Sequence, residues 1–190
     1  MNLKEGMLLF HGSYTPVEKI DLDMCANAKD FGKGFYLTSD LQQAKGFVKS
    51  SVIKAQRHHL AAADQDFGFI SSFRFHFHRD DLRIHTFQEA DRDWLWFIAK
   101  NRRGVMFAKS SLNINDISQS DIIVGKVAND QTNPVITAYL NGLYGDVMSD
   151  EAVQYATGRL MPEHLVDQYC FLTEKAIQCL EFQEARKYAG

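Results

Sequence analysis

Apolar positions fall into short runs separated by polar and glycine-rich breaks. Residues 7–10 and 34–38 each read as a strand that delivers a polar or aromatic side chain to a glycine-containing segment. Between them and the next run, Ser39-Asp40 supplies an N-cap for a helix over about residues 41–58, with Ala44, Phe47, Val48, Val52 and Ala55 on one face. A period of two runs through Phe67, Phe69, Phe73, Phe75 and Phe77, which predicts a strand over 67–77 with an aromatic core face. The segment 91–103 opens with acids and closes with bases, the order a helix macrodipole favours. A strand over 121–128 with an Asn-Asp turn follows, then helices over 135–143 and 150–160 with Gly142 and Gly145 as breakers. A strand over 168–172 leads through Thr173 into a helix reaching residue 181. Strands and helices mix without regular alternation, so the fold class expected is α+β.

Composition narrows this to one domain over residues 1–190. The 190 residues are 45% hydrophobic, enough for a sizeable core, and contain only 3 prolines and 12 glycines. A net charge of −3 gives no global attraction to nucleic acid. Lys45, Lys49, Lys54 and Arg57 form no single helical stripe and read as solvated surface. Cys25, Cys170 and Cys179 are odd in number and lack Cys-x-x-Cys spacing, which points to a reduced, cytoplasmic protein. The early apolar run is too short for a signal-peptide core or a membrane span.

Candidate chemistry concentrates near the N-terminus. His11-Gly12-Ser13 and Gly34-Phe35-Tyr36 stand at strand ends, where glycine permits close approach and a ring supplies a flat surface. Together they suit a planar ligand held between backbone and an aromatic side chain. His76, His78, Asp80 and His85 have strand spacing that a metal site would need, against the plainer reading of an outward polar face. The run Lys100-Asn101-Arg102-Arg103 suits either phosphate contact or a basic helix C-terminus. Trp94, Trp96 and Phe97 read as core, one of the tryptophans as a pocket wall.

These segments resemble the NAD-binding core of ADP-ribosyltransferases of the diphtheria-toxin and poly(ADP-ribose) polymerase type. That family carries a strand ending in His-Gly-Ser or His-Gly-Thr, matched by His11, Gly12 and Ser13. It carries a segment close to Phe-Gly-Lys-Gly-x-Tyr, matched by Phe31, Gly32, Lys33, Gly34 and Tyr36. Its third signature is a strand opening with Glu, and here Gln168 stands in that place within Asp167-Gln168-Tyr169-Cys170-Phe171. The resemblance covers residues 8–172 and implies two packed, mostly antiparallel sheets around an NAD cleft, with peripheral helices.

It also implies roles for named residues. The Gly12 backbone would grip the nicotinamide amide, His11 and Ser13 the adenosine-side ribose, and Tyr36 would stack on nicotinamide beside Gly34. Catalysis would fall to His11, Tyr36 and Gln168, with NAD as substrate and no metal. A glutamine keeps a hydrogen bond to the nicotinamide ribose but not the charge or the base, so the acceptor would be activated by another carboxylate, with Glu163, Asp167 and Glu174 near in sequence, or would need no strong base. The activity implied is transfer of ADP-ribose to a protein or nucleic acid with release of nicotinamide. Alternatives are an NAD glycohydrolase and a non-enzymatic NAD-binding or interaction module. Bacterial proteins of this appearance are often toxins with a neutralising antitoxin partner or a role in phage defence. Acceptor choice would rest on residues 146–166.

Overall fold

The computed structural model describes residues 2–78, 81–104, 114–127, 132–160 and 165–189. Its strands are β1 (Leu8–Ser13), β2 (Phe35–Thr38), β3 (Phe67–Phe75), β4 (Ile84–Thr86), β5 (Ile122–Lys126), β6 (Asp167–Phe171) and β7 (Leu180–Ala189). Its helices are α1 (Leu41–Arg57), α2 (Arg92–Arg103), α3 (Ile114–Ile117), α4 (Asn133–Leu140), α5 (Asp150–Arg159) and α6 (Glu174–Ile177). The class is α+β. Asp40 caps α1 by accepting from the amides of Gln42 and Gln43, and Asp91 caps α2 through Trp94.

The described strands make one seven-stranded sheet in the order β4-β5-β6-β2-β1-β3-β7. Neighbours run antiparallel except β4 and β5. In place of two separate sheets, β4-β5-β6-β2 and β1-β3-β7 stay joined through a narrow seam. At that seam β1 and β2 share the single register pair Phe10–Thr38, whereas β1 follows β3 from Leu8–Arg74 to Ser13–Phe69. Beyond the bridge the two strands diverge.

Side-chain alternation sorts the core by face. Leu9, Phe35, Leu37, Phe73, Phe75, Tyr169 and Phe171 fill one face, closed by Ala176 and Cys179. On the opposite face α1 packs Ala44, Val48 and Val52 against Ile70 over the β1–β3 half. Trp94, Phe97, Ile136, Tyr139 and Ala156 pack with Ile123 and Cys170 over the other half. Both tryptophans lie in this core, with their indole N–H groups donating to Lys126 O and Tyr139 Oη.

Two element predictions need correction, and one strand was not predicted. The helix predicted up to residue 181 stops at Ile177, and β7 occupies Leu180–Ala189. That segment is charged and its burial pattern weak, so its strand state comes from the open edge of β3, whose backbone groups need partners. The three-residue β4 escaped notice because so short a segment carries no periodicity. β3 ends at Phe75, and only Phe73 and Phe75 of its phenylalanines are fully buried; Phe77 is 47% exposed. The turn after β5 lies outside the described residues.

Candidate functional site

Gly12 sits where β1 passes under α1. A Cβ there would stand 2.1 Å from the Ala44 carbonyl oxygen and 2.9 Å from the Val48 nitrogen. Gly34 has the same requirement against β6, where a Cβ would meet Cys170 Sγ at 2.7 Å and Phe171 O at 2.8 Å. The close approaches these glycines permit are therefore to α1 and β6, within the protein.

His11 projects from the opposite face of β1, its ring centroid 4.5 Å from that of Phe35. Its Nδ1 lies 2.9 Å from the Tyr36 carbonyl oxygen. A carbonyl only accepts, so Nδ1 carries the proton in this contact. Burial lowers the imidazole pKa below its ordinary value, partly offset by the Tyr36 bond, and so favours the neutral ring. In that tautomer Nε2 is an acceptor, and among the described residues none donates to it.

This bond also orients the backbone at the seam. The Tyr36 carbonyl points toward β1, so alternation turns the Thr38 groups the same way and makes Phe10–Thr38 the hydrogen-bonded pair. Two residues along β1, alternation turns the Gly12 N–H and C=O to the diverging edge, beyond the last register pair. A donor and an acceptor thus stand side by side in the seam. Ser13 is buried at the end of the same strand.

Tyr36 and Gln168 occupy the other face. They are diagonal neighbours, with Tyr36 opposite Cys170 and Gln168 opposite Thr38. The Tyr36 hydroxyl donates to Gly32 O at 2.8 Å and accepts from Phe31 N at 2.9 Å, tying down the loop before β2. Burial, first, and then the neighbouring Cys170 push its phenol pKa well above the usual value. Its ring lies 6.5 Å from that of Phe31, so what it offers a ligand is a partly buried face and no hydroxyl chemistry.

Gln168 is 5% exposed. Its Nε2 donates to Asp30 Oδ2 at 3.2 Å and to Lys126 O at 3.0 Å. Asp30, 8% exposed, also accepts through Oδ1 from Arg102 Nε at 2.7 Å and pairs with Arg102 Nη2 at 2.6 Å. The structure thus brings together Tyr36 and Gln168 on one face, Gly12 in the seam, and His11 on the far face joined to Tyr36 through its main chain. Neither of two described depressions includes His11, Tyr36 or Gln168. One, of about 510 Å³, is lined by Lys4, Met7, Ser39, Asp167 and Tyr169. The other, about 320 Å³, lies between Gly32, Lys33, Phe97, Asn101 and Thr173.

The other candidates resolve mostly into internal ties. Asn101 donates to Asp30 O, Arg102 reaches Asp30 and Asn133, and Arg103 reaches Asn141, so the basic end of α2 fastens the Asp30 loop and both ends of α4. His76 lies between Glu5, at 2.6 Å, and Glu181, at 3.3 Å, stacked on His78. His85 packs edge-on against Phe87 elsewhere, and Asp80 lies outside the described residues. Of the carboxylates considered as bases, Asp167 pairs with Lys126 at 2.9 Å, Glu174 is exposed in the first turn of α6, and Glu163 lies outside the described residues. Sequence reading missed Asp30 and Lys126. The one signal was an aspartate directly before Phe31-Gly32-Lys33-Gly34.

A family model described as a protein of unknown function (DUF3990) matches residues 7–182, and the chain belongs to that family. No curated protein matches it. Among the described residues no helix is long and apolar enough to cross a membrane.

Proposed function

We propose that this chain binds NAD at the β1–β2 seam and transfers ADP-ribose to a macromolecular acceptor, releasing nicotinamide. The observation that carries the reading is the Gly12 edge: an adjacent N–H donor and C=O acceptor beyond the last β1–β2 pair, next to His11, whose ring reaches the Tyr36 carbonyl across the seam. A carboxamide has one matching acceptor and one matching donor, so nicotinamide pairs with both. We read the fold as that of the ADP-ribosyltransferases, with the seam as the nearly complete division between its two sheets.

On this reading the ribose–nicotinamide bond breaks through an oxocarbenium-like transition state, as in glycoside chemistry. Fixing the leaving group on Gly12 and the ribose on Gln168 supplies orientation. His11 Nε2 and Ser13 accept or donate to the adenosine-side ribose, and Tyr36 gives a ring face beside nicotinamide. Gln168 supports a ribose hydroxyl through a neutral bond worth about 0.5–1.5 kcal/mol, against about 1.5–3 kcal/mol for a charged partner. Turnover is therefore slower by about an order of magnitude than in a site built around a charged carboxylate.

Purified protein incubated with NAD should release nicotinamide, and His11→Ala should bring release to background. With NAD labelled in the adenosine half and cell lysate, label should appear on a protein or nucleic acid, identified by mass spectrometry. Label recovered wholly as free ADP-ribose would instead mean hydrolysis. The neutrality of Gln168 favours one other reading, an NAD-binding module without turnover. Calorimetric NAD binding with no nicotinamide above background would establish that one, and absence of both would end the NAD reading.

A further inference from the structure

The place where an acid was expected holds a buried amide with a specific set of neighbours. Both groups facing Gln168 Nε2 are acceptors, the Asp30 carboxylate and the Lys126 main-chain oxygen. Only the nitrogen end of the carboxamide satisfies them, which fixes the amide orientation. Asp30 is itself fixed by Arg102 on its other oxygen, and Asn101 holds its main-chain carbonyl at 2.9 Å. Gln168 Oε1 has no donor among the described residues. No side-chain nitrogen or oxygen sealed from solvent lacks a partner among those residues, so Oε1 borders accessible space.

We propose that Asp30, held by Arg102, is a positioning residue that turns Gln168 Nε2 inward and presents Oε1 as an acceptor to a ligand hydroxyl. The site is thereby built for an amide, and a glutamate in its place does not repair it. A glutamate would set a carboxylate oxygen against both Asp30 and the Lys126 carbonyl, three acceptors with no proton among them. The identity of the hydroxyl, a ribose of NAD, rests on the function proposed above; the Asp30–Gln168 pairing does not.

Four proteins test this: wild type, Gln168→Glu, Asp30→Asn and the double variant. The first readout needs no ligand. Groups facing the side chain of Gln168 are Asp30 with Arg102, Lys126 with Asp167, and Tyr36 and Cys170 on the same face. In Gln168→Glu, burial beside Asp30 raises the folded-state pKa of the introduced carboxyl above its unfolded value of about 4.3. Stability of that variant relative to wild type is then highest at low pH and falls as pH rises through the raised value. In the double variant the introduced amide donates to the introduced carboxylate, and this pH-dependent loss disappears.

The second readout is NAD affinity by calorimetry. At pH 8, Gln168→Glu should bind about tenfold more weakly than wild type and recover on acidification. Asp30→Asn should also weaken binding about tenfold, since the nitrogen of the introduced amide turns the Gln168 amide over and draws Oε1 inward. The double variant should bind with a flat pH profile. A Gln168→Glu stability profile parallel to wild type overturns the pairing. A coupled stability profile with wild-type NAD affinity in Gln168→Glu at pH 8 overturns the presentation of Oε1. Coupled stability in a wild type that neither binds nor cleaves NAD overturns the NAD function and the ligand role with it, leaving Asp30–Gln168 as an internal tie.

Discussion

The two segments most alike in sequence chemistry are put to opposite uses. In Phe31-Gly32-Lys33-Gly34-Phe35-Tyr36 nearly every polar or small group is engaged internally: the Tyr36 hydroxyl by two loop bonds, Gly34 by β6, Phe31 by the core. In His11-Gly12-Ser13 the side of Gly12 that faces α1 is filled, but the Gly12 backbone edge lies beyond the last β1–β2 pair and His11 Nε2 has no donor among the described residues. The first of these is scaffold that sets the position of a ring; the second carries donors and acceptors that a ligand can meet. Similar motifs should therefore respond differently when mutated.

The largest effect should come from filling the α1 side of β1. Gly12→Ala places a methyl against helix backbone and should cost more than about 3 kcal/mol, above the usual range for overpacking, in chemical denaturation. A loss under about 1 kcal/mol would show that α1 can yield and that the glycine is free for other duties. Next in size is Arg102→Ala, which removes the charged partner of the buried Asp30 carboxylate and should cost about 3 kcal/mol. If it is nearly silent, Asp30 is not tied as described. Tyr36→Phe removes two loop bonds and should lower stability by about 1–3 kcal/mol. Nicotinamide release by that variant should stay within about threefold of wild type, since the ring remains; a far larger drop would make the second segment chemical as well as structural.

The smallest effect concerns pH. Burial depresses the folded-state pKa of His11, so its neutral form contributes stability above about pH 6.5, lost as pH falls toward the folded value. His11→Asn keeps an N–H for the Tyr36 carbonyl and has no titration, so its stability should vary less between about pH 7 and pH 5 than that of wild type. Equal slopes would assign the titration to other groups.

Much of the scaffold was legible because local rules and tertiary packing agree. The caps at Asp40 and Asp91, the apolar face of α1 and the strands at the two N-terminal segments follow from side-chain type and period. The α+β class followed from their order. Tyr36 and Gln168 were singled out by resemblance to a known family, and their side chains lie on one face of the sheet. What the pattern withheld was the opposite orientation of His11 and the partners of Gln168.

Sequence by itself determined which segments are strands with glycine ends, where α1 and α2 begin, and which polar residues stand near strand termini. Tertiary structure alone decided that Leu180–Ala189 is a strand, because the partner that completes its backbone bonds is the open edge of β3, far away in the chain. It also decided that Asp30 and Gln168, 138 residues apart in the chain, meet in a buried pair. No local rule links such positions. Only burial, by making an unpaired carboxylate or amide costly, forces each to find the other.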